Sequence, residues 1–260
     1  MKDEKLNKIL KHILNLNKEL NSKYVFDKKK KYKSKKKNKL DPVTQLDKKI
    51  ELFIKKRIQK SFPKHNVLGE ETKNVKNNSE YTWVIDPIDG TKNFILGLPT
   101  WSTLIGVYRN KECILSYINL PILKKFYLAY GKKNEVHQNN KVFRIYKKKN
   151  IKNEHIAINT FNTLRNKKLF EFLKKTNQLF RVTGGDAYNY CLFCEGNIDV
   201  IIEANLKKVD FMPIKLLLKN SGALITDWNG KKNINEGNIL ITRKISLQKK
   251  YIKLLNTNSR

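Results

Sequence analysis

The chain has 260 residues, 40% hydrophobic and 30% charged, enough apolar material to bury a sizeable core in one domain or two closely packed halves and too much for a disordered chain. Its 55 Lys and Arg against 23 Asp and Glu give a formal charge of +32. The excess is mostly Lys scattered along the chain beside abundant Asn, with few Arg, the residue best suited to reading bases, so it reads as compositional bias and argues against nucleic acid as the partner. The three cysteines make no disulfide framework for this length. No apolar run reaches membrane-spanning length and no hydrophobic signal core opens the chain, so the expectation is a soluble, unsecreted, cytoplasmic protein.

Leu6, Ile9, Leu10, Ile13, Leu14 and Leu20 recur at helical spacing, predicting an amphipathic helix over roughly the first twenty residues. The lysine block from Lys28 to Lys39 follows and by itself reads as a solvated tail or a tether for a polyanion. Asp41-Pro42-Val43-Thr44-Gln45-Leu46-Asp47 then leads into a second amphipathic helix carried by Ile50, Phe53, Ile54 and Ile58. Asp47 there reads equally well as a helix cap. That helix ends near Pro63. Beyond a short apolar segment, Gly69 precedes Glu70 and Glu71, adjacent carboxylates that repel unless water solvates them or a cation holds them.

The most informative stretch is Trp83-Val84-Ile85-Asp86-Pro87-Ile88-Asp89-Gly90-Thr91-Lys92-Asn93-Phe94. An apolar, β-branched run ends in two carboxylates, with Pro87 fixing the backbone between them and Gly90 permitting close approach just after. On a tight turn of this kind Asp86, Asp89 and the Ile88 carbonyl can face one ion, and such hard oxygen donors select magnesium or calcium over zinc. The Gly90 and Thr91 amides, if they open a helix, point at an anion. As bare residue types, Asp, Pro and Gly also build ordinary solvated turns.

Strand-like runs follow at Ser102 to Tyr108, Ile114 to Ile118 and Phe126 to Tyr130, with a turn at Gly131 to Asn134; they predict an antiparallel meander. A polar, Lys-rich segment between about Val142 and Asn153 offers a boundary. The second half alternates: strand at Ile156 to Asn159, helix at Leu169 to Thr176, strand at Phe180 to Val182, helix at Ala187 to Glu195, strand at Ile198 to Glu203, helix at Ile214 to Asn220 and strand at Ala223 to Thr226. Gly184-Gly185-Asp186 lies at a strand-to-helix junction, where a backbone can approach a ligand. Asp210 opens a helix with Pro213 in its first turn, an ordinary place for a capping Asp. Cys191 and Cys194 sit mid-pattern in an apolar helix and read as core, and the four histidines are too dispersed to form a zinc set.

The string from Trp83 to Phe94, with the Pro-Val-Thr…Asp and Gly-Glu-Glu segments upstream, resembles the signature of the inositol monophosphatase superfamily, magnesium-dependent and lithium-sensitive phosphatases of sugars and alcohols. The likeness runs from Thr44 to Gly230. It implies an α+β fold, the layered α/β/α/β/α sandwich of the inositol monophosphatase and fructose-1,6-bisphosphatase type. An N-terminal α+β half over 1–148 would carry the metal turn, and a C-terminal α/β half over 149–260 would complete the active site of one catalytic unit. The resemblance further implies about two or three magnesium ions held by Glu70, Asp86, the Ile88 carbonyl, Asp89 and Asp210. Glu70 and Thr91 would position the attacking water, with Asp47 holding the Thr91 hydroxyl and Glu71 in support. The Gly90 and Thr91 amides would grip phosphate, a lysine near Lys36 or Lys37 would close over it, and the chain would form a homodimer. Val209 replaces the usual Trp or Tyr before the last metal ligand, and Met212 and Pro213 replace small residues after it.

For substrate, gap-free alignment back from Asp210 puts Glu203 where the family keeps a substrate-contacting glutamate. It puts Asp186, beside Gly185, where inositol monophosphatases have alanine. Two carboxylates facing the leaving alcohol suit a cationic substrate better than a neutral polyol. The runs Gly184 to Tyr190, Val200 to Lys207 and Ala223 to Gly230 are similar to the superfamily's histidinol-phosphate phosphatases, enzymes of histidine biosynthesis. Histidinol carries an ammonium and an imidazole, so the charge argument and the likeness point to the same small phosphorylated substrate. The alternatives are an inositol or fructose bisphosphate phosphatase of the same fold and, from another class, a basic nucleic-acid-binding protein.

Overall fold

In the computed structural model, residues 4–24, 32–36, 39–131, 135–143, 154–158, 161–175, 179–182 and 185–256 are described, with backbone alone at 32–36, 39–43, 143, 161–162, 180–182 and 186. The opening apolar stripe forms α1 (Glu4–Tyr24), which buries Ile9, Ile13, Leu16 and Leu20 as helical spacing requires. β1 (Tyr32–Lys36) and β2 (Lys39–Thr44) then pair as an antiparallel ribbon. The described part of the lysine block is therefore strand backbone and not the solvated tail that composition suggested; residues 28–31, 37 and 38 lie outside the described residues. α2 (Gln45–Ser61) starts at once and buries Leu46, Ile50, Ile54 and Ile58.

β3 (Asn66–Gly69) runs parallel to β4 (Tyr81–Asp89). After the short helix α3 (Thr91–Leu96), the antiparallel strands β5 (Ser102–Arg109), β6 (Glu112–Leu120), β7 (Lys125–Tyr130), β8 (Val136–Gln138) and β9 (Lys141–Phe143) complete a seven-stranded sheet in chain order. The expected meander is its centre; β8 and β9 have three residues each, too few to carry a strand pattern in the sequence. The expected division between 148 and 149 falls outside the described residues.

The second half holds β10 (His155–Ile158), α4 (Phe161–Leu164), α5 (Lys167–Lys175), β11 (Leu179–Val182), α6 (Asp186–Cys194), β12 (Val200–Leu206) and α7 (Lys208–Phe211). A 3-10 turn at Met212–Ile214 leads to α8 (Lys215–Asn220), β13 (Leu224–Asp227), β14 (Gly237–Thr242) and α9 (Ile245–Asn256). These strands form a sheet ordered β11-β10-β12-β14-β13, parallel through β12, with β14 antiparallel to both neighbours. β14 and α9 lie beyond the last element the sequence patterns predict, yet Ile239 to Ile241 and Leu247, Tyr251 and Leu255 are buried.

The cores show how the layers stack. α1 and α2 cover one face of the large sheet. Its other face, through Leu104, Ile118 and Tyr127, shares a core with α6, α8 and Ile201, Ile239 and Ile241 of the second sheet. Val200, Ile202 and Leu240 point the opposite way and meet α5 and α9. Strand alternation thus divides the second sheet between two cores, giving the expected α/β/α/β/α order. Cys191 and Cys194 are buried free thiols of the middle layer. Among the described residues no helix is long and apolar enough to cross a membrane.

The two halves come into close backbone contact where Gly106 of β5 meets the 3-10 turn: a Cβ on Gly106 would lie 2.6 Å from Pro213 Cα. Both sides of that contact are backbone, so neither can yield cheaply. Gly106→Ala is expected to destabilise the protein by about 2 kcal/mol, a typical overpacking cost, read as a lowered midpoint in urea denaturation; an unchanged midpoint would show that the contact is slack.

Candidate active site

β4 carries Trp83, Val84 and Ile85 fully buried into the sheet and then departs from regular pairing. Asp86 opposes Leu104 and Asp89 opposes Ser102, so β4 spends three steps where β5 spends two. In a regular strand residues three apart face opposite sides; the extra residue of this bulge turns Asp86 and Asp89 to the same side. Pro87, which has no N–H to offer a ladder, sits within the bulge. The expected tight turn is therefore a bulged strand end that achieves the same convergence. Gly90 follows in the left-handed conformation, φ 76°, as the N-cap of α3, and Thr91 is that helix's first residue. Glycine adopts this φ without strain.

Carboxylate oxygens of Glu70, Asp86 and Asp210 all lie within 4.8 Å of one another. Asp86 is buried and its Oδ1 has no hydrogen-bond partner. Asp89 is adjacent but outside this trio. Its Oδ2 accepts from the Ala187 amide at 3.0 Å and the Ser102 hydroxyl at 3.3 Å, so the start of α6 holds it from across the site. Asp210 is the third residue of α7, whose N-cap is Lys207, and not the helix-opening residue; its Oδ2 accepts from the Lys207 amide at 2.9 Å. Pro213 lies in the following 3-10 turn. Desolvation, then the neighbouring Glu70, Asp89, Asp210 and Asp47, push Asp86 well above the ordinary Asp range. Burial raises Asp89 to about 6 and Asp210 to about 7, with Glu70 adding to both. A buried carboxylate oxygen with no partner, facing two more carboxylates, fits a hard divalent cation.

Asp47 serves two neighbours. Thr44 caps α2, and its amide and hydroxyl both donate to Asp47 Oδ2. The other oxygen, Oδ1, is 3.4 Å from the Thr91 hydroxyl, which also lies 3.1 Å from the Ile88 carbonyl. The capping role and the Thr91-orienting role thus coexist. A hydroxyl has one proton to donate, so Thr91 keeps lone pairs that can accept from a water.

A second carboxylate of α2 was not anticipated. Glu51 is fully buried, 2.8 Å from the Lys55 ammonium, and accepts from the amides of Glu71 at 2.7 Å and Thr72 at 2.8 Å. Lys55 in turn donates to the Thr72 hydroxyl at 2.7 Å and the Lys73 carbonyl at 3.1 Å. This buried pair fixes the loop that presents Glu70, and a side chain on Gly69 would collide with Lys55 Nζ at 2.7 Å. The signal in the sequence is a Glu and a Lys four apart on the face that buries Ile50, Ile54 and Ile58. Glu71 contributes its amide to this clamp.

Glu203, on β12, is fully buried; Tyr190 donates its hydroxyl to Oε2 while Oε1 has no partner. Burial raises it to about 8 against the lowering effect of Tyr190, with Asp89 and Asp210 adding to the rise. Gly185 lets α6 approach the first half: a Cβ there would lie 2.9 Å from Asn93 Nδ2 and 3.0 Å from the Thr100 carbonyl. Asp186 is the first residue of α6, described in backbone alone. Gly184 and Lys37 lie outside the described residues, and Lys36 is described in backbone alone.

With this geometry in view, the comparisons with known proteins agree on one family. The sequence model of the inositol monophosphatase family matches residues 4–260. A chloroplastic bifunctional phosphatase of Arabidopsis thaliana is 31% identical over 201 residues, 75% of this chain and 57% of that protein, so the match spans somewhat over half of that relative's length. A histidinol-phosphatase of Mycobacterium tuberculosis is 26% identical over 209 residues, 78% of this chain and 80% of that protein. Other relatives are named fructose-1,6-bisphosphatase/inositol-1-monophosphatase. In fold, the chain is similar to the crystal structure of an IMPase/NADP phosphatase complexed with Mg2+ and phosphate, with a TM-score of 0.85 at 21% identity, covering 98% of this chain and 97% of that one.

The raised carboxylates make stability depend on pH. A carboxyl whose folded value is raised contributes its stability in full below the unfolded value and loses it as pH rises through the folded one. For Asp89 at about 6 and Asp210 at about 7, against an ordinary 3.8, the loss runs from about pH 4 to pH 8. Chelator-treated protein is expected to melt at progressively lower temperature from pH 5 to pH 8 in scanning fluorimetry, and Mg2+ is expected to raise the midpoint more at pH 8 than at pH 5, because protons compete for the same oxygens. Equal Mg2+ shifts at both values would disconnect these carboxylates from metal binding.

Proposed function

The chain belongs to the inositol monophosphatase family, phosphatases of small phosphorylated compounds, and from that premise we propose that it is a magnesium-dependent phosphomonoesterase whose substrate is histidinol phosphate. The observation that carries the reading is the converging trio of Glu70, Asp86 and Asp210, with Asp86 Oδ1 buried and unpartnered, together with the equally unpartnered Oε1 of Glu203. The first feature asks for a divalent cation; the second suits a substrate that brings a positive charge.

Glu70, Asp86, Asp89, Asp210 and the Ile88 carbonyl would hold the ions, which when bound lower the pKa of a water and neutralise the phosphate and the departing alkoxide. The rest falls to the chain's own groups. Thr91, oriented by Asp47 and the Ile88 carbonyl, accepts a hydrogen bond from the attacking water and aims its lone pair at phosphorus. The Gly90 and Thr91 amides at the start of α3 face the phosphoryl oxygens, so the work is positioning and charge stabilisation. Glu203, raised to about 8 by burial, holds a proton at neutral pH until a cation lies beside it, when the ionised form is favoured. An ammonium or imidazolium would supply that cation, whereas a neutral polyol would leave a buried carboxyl to hydrogen-bond as the acid. Asp186, at the opening of α6, would add the second carboxylate. The likeness to histidinol-phosphate phosphatases over Gly184 to Tyr190 and Val200 to Lys207, and the histidinol-phosphatase among the relatives, support the same choice.

Malachite-green detection of phosphate released from histidinol phosphate and from inositol monophosphate, with and without Mg2+, tests the reading. Turnover is expected to require Mg2+ and to favour histidinol phosphate in kcat/KM by about tenfold or more. Preference for the inositol ester would transfer the chain to the inositol or fructose bisphosphate branch. Asp86→Asn is expected to lower Mg2+-dependent release by about a thousandfold while the protein stays folded by circular dichroism, and full activity at saturating Mg2+ would refute the metal assignment. Asp186→Ala is expected to lower kcat/KM for histidinol phosphate by roughly tenfold and to leave inositol monophosphate hydrolysis unaltered; an equal effect on both would make Asp186 a helix cap with no part in selection.

A further inference from the structure

The acidic cluster is bridged by a cation of the protein's own. Lys207 leaves β12 as the N-cap of α7, and its backbone amide donates to Asp210 Oδ2 at 2.9 Å. Its ammonium donates to Glu70 Oε1, also at 2.9 Å. One residue therefore links a carboxylate of the second half to a carboxylate of the first. The two ends of this link differ in freedom: the amide is pinned at the start of a helix, while the side chain is 49% exposed against 15% for Glu70. The ammonium sits on a flexible stem, so it can leave Glu70 while the amide keeps its bond to Asp210.

Glu70 is one of the three carboxylates whose oxygens converge within 4.8 Å. A divalent cation drawn to that convergence meets a positive charge already seated on Glu70 Oε1, and two cations at such separation repel strongly unless one leaves. The same ammonium, 2.9 Å from Glu70 Oε1, offsets part of the mutual repulsion of the carboxylates.

We propose that Lys207 is a tethered competitor of the metal at Glu70: its ammonium holds the acidic cluster together and is displaced on loading, so that it sets the Mg2+ concentration at which the site fills. The proposal rests on the metal-site reading above and concerns a residue to which that reading gives no role. It also explains how a loop and a helix from opposite halves keep their carboxylates facing one another, since the Lys207 link spans both.

Isothermal titration calorimetry of the full chain with MgCl2 at pH 8, without substrate, reads the effect directly. Lys207→Met is expected to bind Mg2+ about tenfold more tightly than the parent, from removal of one nearby positive charge, and Lys207→Gln is expected to do the same, so that a folding failure of one variant does not leave the question open. In a Glu70→Gln background, Lys207→Met is expected to tighten Mg2+ binding less than it does in the parent, because the ammonium is no longer seated on a ligand and only its longer-range repulsion is removed. Unchanged or weaker Mg2+ binding in both Lys207 variants would overturn the proposal. Asp86→Asn run in parallel separates the two levels. If it leaves Mg2+ binding intact, the metal-site reading itself fails; if it abolishes binding while the Lys207 variants bind like the parent, the competitor role alone falls.

Discussion

Like charges brought together away from water repel, and the arrangement of this protein follows from holding them together regardless. Glu70, Asp86, Asp89 and Asp210 come from a loop, a strand end and a helix start in different parts of the chain, and burial weakens the screening that would otherwise let them coexist. Each is therefore fixed by a separate device. Glu70 is presented by a loop clamped to Glu51 and Lys55. Asp86 is locked in the sheet by the bulge of β4. Asp89 is held by the amide of Ala187, and Asp210 by the amide of Lys207. Positive charge, whether from a metal or from Lys207, is what this scaffold is built to receive.

The layered fold divides that task between its halves. The first sheet and α2 contribute Glu70, Asp86, Asp89 and the Asp47–Thr91 pair, while the second half contributes Asp210, Glu203 and the opening of α6. The shared middle core, with Tyr190, Phe211 and Leu217 packed among side chains of both sheets, fixes the register between them. Glu203 is part of this arrangement. It lies on the β12 face that turns toward the middle layer, next to Tyr190 and within electrostatic reach of Asp89 and Asp210. A carboxyl kept in such surroundings with one oxygen unpartnered is costly to stability, a cost that packing alone does not offset.

Much of this was legible in the residues themselves. The string from Trp83 to Phe94 announced both the central strand and its acidic end, and the apolar periodicities of α1, α2, β5, β6, β7 and the β-α alternation of the second half survive in the structure. What escaped has physical reasons. Parity along a strand says that Asp86 and Asp89 face apart, and a bulge that reverses this is specified by pairing with β5, which no local pattern encodes. Glu51 and Lys55 look like an ordinary exposed helix pair until burial shows that they share the face of Ile50 and Ile54. Lys207 is one of many lysines in a chain with 55 Lys and Arg, and only the fold singles it out by placing it across from Glu70. The ribbon of β1 and β2 was hidden because lysine-rich sequence carries no strand pattern, while β14 and α9 lie past the last stretch whose pattern suggested an element.

The backbone contact between Gly106 and Pro213 has a mechanical consequence. Gly106 pairs with Val84, two positions before Asp86, and Pro213 follows Asp210 by three, so the two halves lean on each other almost at the point where their acidic residues meet. A lever whose fulcrum sits beside its load moves the load least. Rocking of one half on the other would sweep the distant edges of both sheets through wide arcs while shifting the chemical centre by very little. Whatever small motion the shared core permits is therefore felt least where the carboxylates converge.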